Sequence, residues 1–301
     1  MRIFITGGSG LIGSNLIERL LKQGHKITLL TRNVKRTTQK LGNEIDYYSS
    51  LELLDTLDGY NAVVNLVGEP IVGRRWSNKQ KMELCNSRWN ITARLTELIK
   101  NSSNPPQVFI SGSAVGYYGV QSGQVLTEDM LAEDGFLHQL CKKWEELALD
   151  AQSERTRVCI SRTGIVLSPK GGMLPMMLLP FRMGLGAVFG SGQQYISWIH
   201  IEDMVEGLCL LLDNTKAQGV FNFTSPNPES NRVFSDSLAS ALSRPRIFRI
   251  PSFLLKMILG EAATMVLDGQ YVFPQHLQEM GFRFAFEKLD SAFQNILINK
   301  K

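Results

Sequence analysis

Cysteine and histidine are scarce in this sequence, with four of each among 301 residues, and neither set is clustered. Cys85, Cys141, Cys159 and Cys209 stand far apart, form no C-x-x-C, and fall in segments patterned as helix or strand, so they are expected to be buried, reduced thiols. His25, His138, His200 and His276 are equally dispersed and offer no basis for a metal site. Long apolar runs are missing too. The most apolar windows, Met173 to Phe181 and Phe253 to Leu267, are short or broken by Pro, Lys256 and Glu261, below the roughly 18 uninterrupted residues of a span, and no membrane partner is expected. Nor does charge of one sign accumulate: the net charge is +4 and the basic residues are scattered, which argues against a nucleic-acid partner. The chain enters a strand almost at once, leaving no room for the basic, apolar and cleavage regions of a secretory signal, and a cytoplasmic location is expected. What remains is a globular composition, 44% hydrophobic and 20% charged, long enough for one large core or two modest ones.

Glycine is where the sequence speaks most clearly. Thr6-Gly7-Gly8-Ser9-Gly10-Leu11-Ile12-Gly13 follows the apolar run Ile3-Phe4-Ile5, and Gly8, Gly10 and Gly13 keep G-x-G-x-x-G spacing. The first two glycines permit a tight turn and close approach of backbone to a pyrophosphate; the third lets the following helix pack on the strand. That helix, from about Leu11 to Gln23, carries Leu11, Ile12, Leu16, Leu20 and Leu21 at helical spacing and closes at Gly24. Ile27-Thr28-Leu29-Leu30 then supplies a second strand. Strand, glycine turn, helix and strand together form a dinucleotide-binding unit, with Gly7, Gly8, Gly10, Leu11, Ile12 and Gly13 at the phosphates and the helix N-terminus facing them.

The end of the second strand selects the cofactor. An acid there usually holds the 2′-hydroxyl of NAD, whereas an Arg suits a 2′-phosphate. This chain has Thr31-Arg32-Asn33, then Lys35 and Arg36, with no acid before Glu44. NADP(H) is therefore the expected cofactor, with Thr31 and Arg32 beside its ribose; the plainer alternative makes Arg32 a solvated loop cation.

Strands and helices keep alternating: a buried strand over Asn61 to Gly68, a long helix over Asn78 to Lys100, a strand over Gln107 to Ser111, a helix over Leu137 to Ala151 and a strand over Arg157 to Arg162. This is the rhythm of an α/β, doubly wound parallel sheet, a Rossmann fold. From about Gly164 the pattern loosens into a glycine-rich loop, a Met-rich helix across Met173 to Met183, and Gly184 to Gly192. The Met cluster fits a packing surface better than a cofactor box. Tyr195 to Ile199 resembles a short strand, Glu202 to Leu212 a helix, and Gly219 to Phe223 a strand returning to the large sheet. The expected organisation is a nucleotide-binding domain over 1–163 and about 195–224, and a smaller, mostly helical substrate lobe over about 164–194 and 225–301. The substrate is expected in the crevice between them.

Thr6 to Gly13, Asn65-Leu66-Val67-Gly68, Ser111-Gly112-Ser113-Ala114-Val115 and Trp198 to Asp203 resemble the extended short-chain dehydrogenase/reductases. More narrowly, Gly68-Glu69-Pro70, Arg74-Arg75-Trp76, Ser87-Arg88, Gly116 to Gly119, Leu179-Pro180-Phe181 and Pro274 to Phe286 are similar to the "epimerase family" proteins of that group. The resemblance covers essentially the whole chain. It implies an NADP-binding domain with a small C-terminal substrate domain, and places Arg32, Leu66, Val67, Glu83, Arg88 and Arg162 near the cofactor.

The departure from the group matters as much. Its active members carry a Tyr-x-x-x-Lys pair in which the Lys lowers the phenol pKa from about 10. None of the seven tyrosines here has that Lys; alignment on the helix of Trp144-Glu145 puts Leu137 and Cys141 at the two positions. Three alternatives stay open. In the first, an atypical oxidoreductase or epimerase-like enzyme acts on an unidentified small molecule, a nucleotide sugar among the candidates. Ser113 then serves as hydrogen-bond donor, and Tyr117 or Tyr118 supplies acid–base chemistry or packs over the cofactor. His138 with Lys142 is a weaker candidate pair, and Arg74, Arg75 and Arg162 are candidates to meet an anion, with Arg162, inside a strand, alternatively fixing the cofactor or a buried carboxylate. In the second, NADP(H) binding serves a non-catalytic sensor. The third is a structural partner without nucleotide binding. A homodimer is a candidate assembly.

Overall fold

A computed structural model describes residues 1–72, 75–121 and 123–297. Strands β1 (Arg2–Thr6), β2 (Lys26–Leu30), β3 (Asp46–Tyr48), β4 (Ala62–Asn65), β5 (Val108–Ala114), β6 (Val125–Leu126), β7 (Arg157–Thr163), β8 (Ile165–Leu167), β9 (Ala187–Phe189), β10 (Tyr195–Ile196), β11 (Trp198–His200) and β12 (Gly219–Phe223) alternate with helices. These are α1 (Leu11–Lys22), α2 (Val34–Leu41), α3 (Asn78–Lys100), α4 (Phe136–Leu149), α5 (Leu174–Arg182) and α6 (Ile201–Asp213). Seven strands form one sheet in the order β12-β7-β5-β4-β1-β2-β3, every pairing parallel.

Strand periodicity explains why the sheet has two apolar faces. Ile3 and Ile5 enter a core with Leu16 and Leu20 of α1 and Met204 and Leu208 of α6, while Phe4 between them enters the opposite core with Leu95 and Leu98 of α3 and Ala148 of α4. Strands covered on both faces read as unbroken apolar runs, as β1 and β4 do. The chain steps outward from β1 through β2 to β3, then returns to lay β4 on the other flank of β1. That reversal opens a crevice at the carboxyl ends of β1 and β4, where a ligand is expected in such a sheet.

Beyond β7 the elements are shorter. Tyr195 to Ile199 is not one strand: β10 pairs antiparallel with β13 (Glu229–Ser230), and β11 pairs parallel with β8. A second core joins Leu174, Leu178 and Phe181 of α5 to Phe234 and Leu238 of α7 (Asn231–Ala241). Further strands β14 (Phe248–Ile250) and β15 (Tyr271–Val272) and helices α8 (Ser252–Leu259), α9 (Thr264–Leu267), α10 (Gln275–Glu279) and α11 (Leu289–Leu297) follow, with Phe293 of α11 in that same core. Leu277 and Phe284, however, pack back into the first core. The Trp198 to Asp203 segment makes this return possible: Asp203 accepts from the N–H groups of Ala285 (2.7 Å) and Phe286 (3.0 Å), and His200 stacks on Phe286 at 3.8 Å.

All four cysteines are buried and unbridged. Of the Met cluster, Met177 lines the second core whereas Met176 and Met183 face outward. Among the described residues, no helix is long and apolar enough to cross a membrane, and no cluster of residues could hold a metal ion.

Candidate functional site

The glycine turn at the end of β1 is shaped by its backbone. Gly7 has φ +72°, and a Cβ there would lie 2.3 Å from the carbonyl oxygen of Leu66. A side chain on Gly13 would strike the Gly7 carbonyl at 2.5 Å, which is how the third glycine lets α1 approach the turn. Gly10 differs, because its added Cβ would meet only the Gly7 carbonyl, at 3.1 Å, leaving its outer side open. As N-cap of α1, Gly10 provides no side-chain cap, and the first turn of the helix contains no acid. The N–H groups of that turn are thus available to an anion, and the helix dipole favours one. These features fit a dinucleotide pyrophosphate.

The opposite wall of the crevice is fixed by side chains. Thr6 Oγ1 donates to Asn65 Oδ1 (2.6 Å), locking the ends of β1 and β4 together, and Asn65 Nδ2 donates to Thr92 of α3 (2.8 Å). Leu66 and Val67 follow directly. Arg88, buried on α3, secures the loop after them: Nη2 donates to the Glu69 carbonyl (2.9 Å) and Nη1 to that of Leu84 (2.9 Å). Arg88 therefore bears on the crevice through the loop it holds. Burial lowers its pKa, consistent with a guanidinium bonded to neutral carbonyls. Glu83, one turn earlier, lies on the exposed side of α3.

Arg32 reaches across from the end of β2 to Glu69 Oε1 at 3.1 Å, with its side chain 91% exposed. The stretch without an acid between residues 32 and 44 is thus supplied with one by the tertiary structure. Thr31 bonds to Thr37 Oγ1 (2.7 Å), and Asn33 caps α2 by accepting from the Arg36 N–H (3.0 Å).

At the end of β5 the arrangement is built mainly from side chains. Ser113 and Arg162 are direct register partners on adjacent strands β5 and β7. Ser113 Oγ donates to Glu145 Oε1 of α4 (2.6 Å), and Arg162 grips the same carboxylate through Nε (2.9 Å) and Nη2 (2.8 Å). Burial works against the Arg162 charge, but the hydrogen bond and charge of Glu145 outweigh it and raise its pKa. Arg162 also donates to Tyr118 Oη (3.1 Å), and its Cζ sits 3.4 Å from the centre of the Tyr117 ring.

Several sequence expectations change here. Tyr118 is fully buried, its hydroxyl donating to Asn222 Oδ1 (2.7 Å), and burial pushes its pKa up to about 12. It is a core residue bracing β12 against the site, and its hydroxyl is closed to a ligand. Arg162 is spent on Glu145, a buried carboxylate, which removes it from both the cofactor and the anion candidates. Arg75 donates to the Met257 carbonyl (3.2 Å), and Arg74 lies outside the described residues. His138 Nδ1 contacts the Tyr117 carbonyl at 2.6 Å with the two rings edge to face, so it orients Tyr117. Leu137 packs on Gly116, and Cys141 is buried with its thiol pushed up to about 12 by burial. Neither position regains the chemistry of the Tyr-x-x-x-Lys pair.

Glu145 is the residue that sequence reasoning missed. Its signal was a charge inside the apolar stripe Leu140, Cys141, Trp144 and Ala148, all buried on α4, since a buried carboxylate needs a partner.

With this geometry established, similarity to known proteins becomes informative. Residues 3–223 match the NAD dependent epimerase/dehydratase family. The chain belongs to that family. Residues 250–296 match a domain of unknown function, DUF1731. The chain is 39% identical over 303 residues to the epimerase family protein SDR39U1 homolog, chloroplastic, of Arabidopsis thaliana, covering 99% of this chain and 87% of that protein. It superposes on the crystal structure of human epimerase family protein SDR39U1 with NADPH at TM-score 0.91 and 32% identity, covering 99% and 100% of the two chains. A nucleoside-diphosphate sugar epimerase from Corynebacterium glutamicum is similar at TM-score 0.79 and 28% identity, over 99% of this chain and 58% of that one. The seven-stranded sheet with its glycine turn is the NAD(P)-binding Rossmann fold of the family.

Proposed function

We propose that this family member is an NADP(H)-dependent oxidoreductase or epimerase-like enzyme acting on a small molecule in the cytoplasm. A nucleotide sugar is the first class to test. The observation that carries the reading is the hydroxyl of Ser113, donated to Glu145 at the same edge of the sheet as the glycine turn. The NADPH in the human relative and the sugar nucleotide named for the bacterial one support the choice of cofactor and of first substrates.

A bound nicotinamide would supply or accept a hydride. The residues of the chain would manage the proton. With its own hydrogen committed to Glu145 and one lone pair facing the Cys141 thiol, Ser113 Oγ keeps one lone pair for a substrate hydroxyl. As that hydroxyl loses its proton to Ser113 Oγ, the Ser113 proton passes to Glu145 Oε1, and the reverse transfer protonates a carbonyl oxygen during reduction. Arg162 holds both oxygens of the carboxylate, sharing Oε1 with Ser113, and the half-buried Tyr117 ring, stacked on Arg162, forms an adjoining wall.

The test is a titration of purified protein with NADPH and with NADH, read by nucleotide fluorescence, alongside Arg32→Ala. NADPH oxidation is then followed against a panel of carbonyl compounds and nucleotide sugars, with Ser113→Ala and Tyr117→Phe for comparison. Turnover that falls in Ser113→Ala supports the enzyme. A second reading, a non-catalytic NADP(H) sensor, is favoured by the apolar Leu137 and the buried Cys141 at the usual acid–base positions. It predicts NADPH binding without turnover anywhere on the panel. Absence of binding to either nucleotide would leave only an interaction protein.

A further inference from the structure

A cation from the far end of α2 stands beside the glycine turn. This helix starts just past Arg32 and runs back toward the glycine turn, so that Lys40 in its last turn donates from Nζ to the carbonyl oxygen of Ser9 (2.7 Å). Ser9 sits between Gly8 and Gly10, the first two glycines of the G-x-G-x-x-G turn. Beside it lies a cavity of about 360 Å³ lined by Ser9, Leu11, Ser14, Asn15 and Lys40 and by Lys170 with its two following glycines. The walls carry two ammonium groups and no carboxylate.

Hydrogen bonding shows which wall groups are available. Ser14 Oγ and Asn15 Nδ2 both donate back to the Leu11 carbonyl (3.3 and 2.8 Å), so neither hydroxyl hydrogen nor that amide hydrogen faces a ligand. Lys40 uses one of its three N–H donors on Ser9 and forms no ion pair among the described residues. Arg32, in contrast, is engaged by Glu69 and largely solvated. A phosphate approaching Arg32 must displace a carboxylate, whereas one approaching Lys40 meets an ammonium already held in place by a carbonyl.

In a fold of this kind the pyrophosphate lies at the start of the first helix and the adenosine ribose faces the end of the second strand. The Ser9 turn borders both positions, and Lys40 stands at it. We propose that Lys40 is a specificity-determining residue for the 2′-phosphate of NADP(H), acting with Arg32, with its ammonium held at Ser9 for that phosphate. This rests on the NADP(H) reading above.

The experiment compares wild type, Lys40→Ala, Lys40→Gln and Lys26→Ala by fluorescence titration with NADPH and NADH. Gln retains a donor for the Ser9 carbonyl while removing the charge, which keeps the turn intact, and Lys26 at the opposite end of β2 controls for loss of one positive charge. Both Lys40 variants should weaken NADPH about tenfold or more while NADH stays within about twofold, as expected for loss of one charge-assisted contact. Lys26→Ala should change neither. Equal losses for NADPH and NADH would assign Lys40 to shaping the turn, and unchanged NADPH affinity would assign the phosphate to Arg32 alone; either result overturns the proposal. Wild-type protein that binds NADH as tightly as NADPH, or neither, instead overturns the NADP(H) reading on which the proposal stands.

Discussion

The carboxyl edge of the sheet carries two sites built on opposite plans. At the end of β1 the cradle is made of backbone: Gly7, Gly8 and Gly13 are demanded by contacts of the main chain and neighbouring apolar groups, and α1 leaves its first N–H groups free. At the end of β5 side chains dominate, with Ser113, Glu145, Arg162 and Tyr118 drawn from four elements and locked in a buried polar network. A backbone cradle tolerates variation in its outward residues but not the insertion of a Cβ. A side-chain network tolerates no unpaired member, because a buried charge without its partner is costly. Damage to the first should abolish binding, and damage to the second should cost stability and chemistry while binding survives.

The largest effect is expected from Glu145→Ala, which leaves the Arg162 guanidinium buried without its carboxylate. Urea unfolding should show a loss of about 3–5 kcal/mol, with NADPH affinity retained in the folded fraction. Gly7→Ala attacks the other site, placing a side chain 2.3 Å from the Leu66 carbonyl at φ +72°. Fluorescence titration should show NADPH binding weakened by about a hundredfold or more, since about 1–2 kcal/mol of left-handed strain adds to the clash. If instead Gly7→Ala binds normally and Glu145→Ala does not, the division between the two sites is wrong.

Ser113→Ala sharpens the contrast further. It should leave NADPH affinity within about twofold and lower turnover of any substrate found by about a hundredfold, the usual scale for a proton-transfer group.

Glu128 offers a test by pH. Its Oε1 accepts from the N–H groups of Asn222 (2.8 Å) and His276 (3.2 Å), its Oε2 has no hydrogen-bond partner among the described residues, and burial raises its pKa. A raised carboxyl pKa means that the folded state favours the protonated form. The resulting stabilisation is full below the unfolded value of about 4.3 and is lost as pH rises through the folded value. Glu128→Gln should flatten that decline, so its stability relative to wild type should improve as pH rises above about 4.3 in urea unfolding. A constant difference across that range would count against it. The smallest effect belongs to Glu69→Gln, which frees Arg32 and should tighten NADPH by a few-fold at most, because an exposed ion pair is worth about 0–1 kcal/mol.

Legibility in the sequence followed the same division. The glycine turn, α1 and β2 were readable because spacing of glycine and apolar residues over some thirty positions specifies one supersecondary unit; α3 was found at its observed bounds, Asn78–Lys100. The short α2 and β3 went unassigned, because α2 buries only Thr37 and so carries almost no apolar stripe. Tyr118 looked like an acid–base candidate because its neighbours resemble a strand end, yet one residue separates a half-buried ring from a fully buried one on a tight 3₁₀ turn. Alignment put Leu137 and Cys141 on the helix that carries Trp144 and Glu145 but did not mark Glu145 as a site residue, since the residue that makes its burial tolerable, Arg162, lies on another strand.

By itself, the sequence determined the parallel α/β framework and the location of the dinucleotide turn, because both depend on periodicity and on glycines within a short stretch of chain. Only the tertiary structure decided how the charges are paired: Arg32 with Glu69, Arg162 with Glu145, and Lys40 with a backbone carbonyl and, among the described residues, no acid. Electrostatic partners are chosen by distance in space and by burial, and neither is encoded at fixed spacing along the chain.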